Sequence, residues 1–198
     1  MSLFEEALKS FASTGGRELG KTMTQKRRGQ KKDVEDRSLG EVAKVALPII
    51  LYGLYKNSKN KEEKESLDRA VNDHKENQGG LKELMEGLRP DESKKMVDHV
   101  FRGKGQNVSR NIANQAGVSQ EEVDAVLERL TPSVIAMLAE EKKKGKDVEE
   151  SMESAMKDLD QRQDMSDIVS GAKKFIESGT EDGSLLSGIG NVLKNILG

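Results

Sequence analysis

Residues 42–56 read VAKVALPIILYGLYK, and residues 126–140 read VLERLTPSVIAMLAE. A shift of 84 positions lays Pro48 on Pro132, Leu51 on Ile135 and Leu54 on Leu138. Both stretches are rich in Ala, Leu, Ile and Val without any period-two alternation. Each runs on into a Lys/Glu-rich stretch and then a weakly apolar segment, so both read as helices. Proline suits the first turn of a helix, where its missing N–H is not needed. The expectation is therefore that Pro48 closes one helix and opens the next, and that Thr131 and Pro132 form the cap and first turn of another. Upstream, Ser38 with Glu41 forms a Ser-x-x-Glu capping box, and so does Ser119 with Glu122. That second match needs a shift of 81, so the first copy lacks about one helical turn. The two stretches are read as the Pro-helices of an internal repeat, two related helical units that bury those helices against each other.

Working outward, the chain has 198 residues, three of them proline, with 34% charged and 34% hydrophobic residues and a net charge of −2. The fold class expected is all-α, a compact multi-helix bundle of two related helical units. Residues 1–37 hold an N-terminal helix and a basic arm. The helix, over residues 3–13, carries the apolar stripe Leu3, Phe4, Ala7, Leu8 and Phe11 and stops at Gly15 and Gly16. The arm, residues 17–32, has seven basic residues against Glu18 alone and almost no apolar content, so it is expected to be a solvated linker or loose helix. The first helical unit takes residues 38–90. Its later part carries Leu67, Ala70 and Val71, then Leu81, Leu84, Met85 and Leu88. The second unit takes residues 91–160. Asp91 is expected to cap a helix with Met96, Val97, Val100 and Phe101 inward, followed by a turn at residues 103–105 and four further helices. Residues 161–198 are read as C-terminal amphipathic helices over 166–178 and 184–197.

Composition excludes several chemistries. With no cysteine there is no disulfide, thiolate metal site or cysteine nucleophile, which fits a reducing cytoplasm. The two histidines, His74 and His99, lack a partner at metal-ligand spacing and are read as surface or boundary residues. With 3% aromatics and no Trp, a base-stacking platform is not expected. Asp158, Asp160 and Asp164 have a spacing suggestive of a calcium loop, but the central Gly is missing and Val169 stands where the twelfth-position Glu should be. Gly188-x-Gly190 has neither a third Gly nor a preceding strand, so no dinucleotide site is read there. No apolar run reaches the roughly 20 residues that a helical bilayer span needs. The chain is expected to be soluble and cytoplasmic, with no catalytic residue, metal or cofactor to nominate.

The sharpest local pattern is residues 112–126, IANQAGVSQEEVDAV. Small Ala residues, a turn at Gly117 and inward Val positions give a helix-turn-helix-like pair resembling that of bacterial repressors. Its charge argues against reading DNA. Residues 119–130 carry Glu121, Glu122, Asp124 and Glu128 against Arg129, and carboxylates facing phosphates reduce affinity. The pair is expected to serve helix–helix packing.

Three places also resemble the YidB-like bacterial family of unknown function. They are the Leu47-Pro48-x-x-Leu51-x-x-Leu54 helix, the His99-x-x-x-Gly103 turn, and the helix pair from Ala113 that ends in the Pro-helix carrying Leu138. The resemblance covers roughly residues 38–145. It implies an all-α fold and no established activity. Family members tend to be rich in Gly and Leu after the second unit. This chain has a charged helix and a short Gly/Leu-containing end there, so its C-terminal third is unassigned.

The expected function is that of a non-catalytic protein-interaction or self-association module, with a protein partner or a second copy of the chain. The C-terminal stripe Leu185, Leu186, Ile189, Val192, Leu193, Ile196 and Leu197 is the candidate surface, since its other face carries only Lys194. The alternative is a nucleic-acid-associated protein that uses the basic arm, chiefly Lys26, Arg27, Arg28, Lys31 and Lys32, with the helix-turn-helix-like pair as scaffold.

Overall fold

A computed structural model of the chain describes residues 3–11, 32–75, 89–162 and 165–178. Among them are eight helices and no strand: α1 (Leu3–Ser10), α2 (Lys32–Ser58), α3 (Lys61–Lys75), α4 (Pro90–Val100), α5 (Gly105–Ala116), α6 (Gln120–Lys143), α7 (Val148–Asp160) and α8 (Ser166–Ser178). The all-α expectation holds.

The centre of the bundle is α2 packed on α6. From Leu39 to Leu54 every residue of α2 except Gly40, Glu41 and Lys44 is buried, and all of α6 from Leu130 to Ala139 is buried. These helices are apolar all round rather than striped, as befits elements covered on every side. The remaining helices form the cover. α3 lies on α6 as well as on α2, and α7 lies on α2 as well as on α6. α1, α4 and α8 close the remaining flanks, and one hydrophobic core runs from Ala7 to Ala172.

The prolines do not break these helices. Pro48 lies inside α2 and Pro132 inside α6, which corrects the expected ends at both points. An interior proline costs about 3 kcal/mol, because the carbonyl four residues back loses its donor and meets the ring. Burying one large aliphatic side chain contributes about 1.5–3 kcal/mol, and each proline sits in an unbroken run of ten or so buried positions. Packing therefore outweighs the local penalty. In α6, the Ser133 hydroxyl donates to the Arg129 carbonyl at 2.8 Å, a side-chain bond beside the interrupted ladder.

Two expected caps also move. α2 opens at Lys32, so Ser38 and Glu41 lie inside it rather than at its start. α4 opens at Pro90 with Arg89 as its cap residue. Glu92 accepts the Arg89 backbone N–H at 3.2 Å, and proline takes the first helical position, so Asp91 is inside the helix.

Surface ion pairs tie cover to centre. Lys142 on α6 meets Asp68 on α3 at 2.9 Å. Lys59, between α2 and α3, bridges Glu149 at 2.7 Å and also contacts Glu153, both on α7. The Lys59 ammonium holds the Glu149 carboxyl below its ordinary range. Each exposed pair contributes at most about 1 kcal/mol, so these set orientation more than stability.

Candidate helix-binding groove

A concavity with an apolar floor lies between α3 and α4. Its volume is about 430 Å³. Leu67 and Ala70 of α3, Met96 and Val100 of α4, Leu54 of α2 and Ile135 of α6 form its floor. Asn57, Ser66, Arg69, Asp73, Lys95 and His99 form its rim. The two walls run in opposite senses, since His99 near the end of α4 lies 3.5 Å from Glu63 near the start of α3. Spacing explains the floor: Leu67 with Ala70, and Met96 with Val100, are i,i+3 and i,i+4 pairs that share one helix face.

The α4 wall is fixed from behind by a close approach. A side chain at Gly53 of α2 would place its Cβ 2.8 Å from Val100 Cγ1 and 3.3 Å from the Val100 carbonyl oxygen. Only glycine lets α4 come this near. Beside it, the buried Asn57 amide donates to the Val100 carbonyl at 3.2 Å, and its oxygen accepts from Arg102 Nε at 3.1 Å. This grip holds the turn after α4, where Arg102 (φ 51°) and Gly103 (φ 78°) adopt left-handed backbone. The His99-x-x-x-Gly103 segment is thus a turn, as the sequence suggests, but its anchor is Asn57, which sequence reasoning missed. A polar residue at the end of an otherwise apolar helix is the signal that marks it.

The helix-turn-helix-like pair is α5 and α6. Gly117 caps α5 at φ 66°, and the Gly117 and Val118 N–H groups both donate to the Ala113 carbonyl. Ser119 caps α6. Its hydroxyl accepts the Glu122 N–H at 3.3 Å, while Glu122 accepts the Ser119 N–H at 2.7 Å. Behind the turn, Ile112, Val123, Val126 and Leu127 are buried. Glu121 is exposed, and Asp124 and Glu128 are half-buried. Burial raises the Glu128 carboxyl above its ordinary range, and Asp124 adds to the rise. The pair fills the core on one side and shows carboxylates on the other.

A smaller hollow of about 160 Å³ between α1, α6 and α7 is lined by Glu6, Glu141, Glu150 and Asp158 together with Lys146. Lys146 hydrogen-bonds Glu141 and holds its carboxyl low. On the same wall, the buried Ser151 hydroxyl has no partner. Among the described residues, no three Asp, Glu or His side chains converge as metal ligands would, and no helix is long and apolar enough to cross a membrane. His74 lies in α3, and the exposed His99 sits on the groove rim.

Of the residues singled out from sequence, Leu185, Leu186, Ile189, Val192, Leu193, Ile196 and Leu197 lie outside the described residues, as do Lys26, Arg27, Arg28 and Lys31, while Lys32 opens α2. At the other flank, Tyr52 of α2 donates to Glu177 of α8 at 2.8 Å. Burial, then this bond, raises the phenol well above its ordinary range, and the same bond holds the Glu177 carboxyl low.

No curated protein and no solved structure matches the chain. The YidB-like resemblance is consistent with one family model, which describes a bacterial protein of unknown function and matches residues 17–143, a span that includes α2 to α6. By that match the chain belongs to the bacterial DUF937 family.

Proposed function

We propose that this chain is a cytoplasmic, non-catalytic interaction module whose groove between α3 and α4 takes an apolar helix. One observation carries the reading: α3 and α4 set the half-buried Ala70 and Met96, backed by the buried Leu67 and Val100, at helical spacing around a roomy apolar floor. A helix bearing its own i,i+3,i+4 stripe fits such a floor ridge into groove. The mixed charges of Arg69, Lys95 and Asp73 at the rim suit a polar outer face on the ligand. The cysteine-free composition fits a reducing compartment.

Photo-crosslinking in bacterial cells tests this, with a photoreactive residue in place of Met96 in the full chain and, separately, of Lys157 on the exposed face of α7. The reading expects discrete links to polypeptide from position 96, from this chain or another. They should be lost when Ala70→Glu puts a charge on the groove floor. Equal labelling from both positions, or none from position 96, contradicts it.

A further inference from the structure

We infer that the hollow between α1, α6 and α7 is a binding site for an alkylammonium group, of the kind carried by a small aliphatic amine or by a lysine side chain. It shares no lining residue with the groove, and it stands or falls independently of it. The shift of 84 that lays Pro48 on Pro132 carries Asn57, Ser66, Leu67 and Ala70 of the groove onto Glu141, Glu150, Ser151 and Ser154 of this hollow. The two units thus form a hollow at corresponding positions and give it different chemistry. Leu67 and Ala70 are replaced by hydroxyls, and Asn57 and Ser66 by carboxylates.

The lining carries four carboxylates, from Glu6, Glu141, Glu150 and Asp158, against the single ammonium of Lys146. Lys146 is tied to Glu141, which Lys144 also reaches at 3.4 Å, so Glu141 is matched from within. Glu6, Glu150 and Asp158 make no side-chain hydrogen bond or ion pair among the described residues. Three negative charges are left to attract a cation into a partly enclosed space, where screening by water is weaker than on an open surface.

The wall supplied by α7 adds an independent sign. Ser151, Ser154, Ala155 and Asp158 stand at i, i+3, i+4 and i+7, on one helix face, and that face lines the hollow. Ser151 is only 6% exposed, and its hydroxyl has no hydrogen-bond partner among the described residues. Buried hydroxyls are nearly always paired, because an unpaired one has lost water without replacement. An ammonium brings three N–H donors. One suits the Ser151 oxygen, and the others suit the unmatched carboxylates.

Geometry selects an organic cation over a metal ion. Among the described residues no three carboxylates converge as metal ligands would. The hollow measures about 160 Å³, room for a chain of about five heavy atoms at roughly 30 Å³ each. Leu3 and Ala155 would lie along its methylenes, as apolar surface does along a lysine stem.

Amide NMR of the full chain tests this by titration with butylammonium chloride and, separately, with lysine capped at both its amino and carboxyl ends. Tetramethylammonium at equal ionic strength is the control, since it has the charge but no N–H. The inference expects saturable shifts at the Ser151 and Ala155 amides, with Gly117 at the elbow unmoved and tetramethylammonium without effect. Saturation by butylammonium alone supports a free amine as ligand, and saturation by the capped lysine supports a partner's side chain. Ser151→Ala removes only an unpartnered hydroxyl and should weaken binding at least about tenfold. Glu150→Gln, at an exposed position, gives a second variant and should weaken it likewise. Saturation by neither amine, equal shifts with tetramethylammonium, or unchanged affinity in both variants overturns the inference.

Discussion

The α5–α6 elbow and the α3–α4 groove are near neighbours with opposite characters. The elbow carries the pattern that attracts the eye in sequence, yet its parts are spent on structure. Gly117 supplies a left-handed cap, Ser119 and Glu122 satisfy each other's backbone, and Val123, Val126 and Leu127 enter the core. What it leaves outside is carboxylate. The groove has no motif, yet it keeps half-buried apolar side chains, Ala70 and Met96, at a rim of mixed charge. A familiar motif is thus a good guide to how a chain folds, and unpaired apolar surface a better guide to where it binds.

If that contrast is right, damage at the elbow or behind the groove shows as lost stability, and damage on the groove floor shows as lost binding. The largest effect is expected at Gly53. A Gly53→Val side chain must displace Val100 and the α4 backbone, and overpacking of this kind costs about 1–3 kcal/mol. Denaturant unfolding should show it, with the Met96 crosslinks lost as well. Unchanged stability would mean that α4 is not held as described.

Next comes the elbow. Gly117→Val forces a β-branched residue into the left-handed region at a cost of about 1–2 kcal/mol. Ser119→Ala removes a cap worth about 1 kcal/mol. Both should lower the unfolding midpoint and leave crosslinking from position 96 intact. Lost crosslinks with stability preserved would move the binding function to the elbow.

A smaller effect is expected from Tyr52→Phe, which leaves Glu177 with Lys56 but without the phenol bond. In the native chain the lowered carboxyl contributes stability above its ordinary range, and that contribution is lost as pH falls through its native value. The variant should lower the thermal midpoint by no more than about 2 °C at neutral pH and converge with the parent in acid. A gap between the two that widens on acidification contradicts the assignment. The smallest stability change is expected from Ala70→Glu, within about 0.5 kcal/mol because the site is half exposed, yet it should abolish the crosslinks.

Much of this molecule was legible in its sequence. α8 was expected over the residues it occupies, Gly117 and the Ser119–Glu122 box turned out as read, and of the residues expected inward on α4 and its turn, Val97, Val100 and Phe101 are buried and Met96 half-buried. Two of the errors share a cause. Pro48 and Pro132 carry strong local signals for helix ends, and each is overruled by the unbroken run of buried positions around it in α2 or α6. That burial depends on α3, α7 and α8, which lie far off in the chain. The groove itself was not legible, because it arises from where α3 and α4 sit relative to α2, with Gly53 against Val100, and no short window encodes that.

The central claim is that the groove, and not the elbow, takes the partner helix. Photo-crosslinking in cells tests it most directly, comparing a photoreactive residue in place of the half-buried Met96 with one in place of the half-buried Val118. The account predicts discrete polypeptide links from position 96 and none from position 118. Equal labelling from the two positions, or links from position 118 alone, would contradict it.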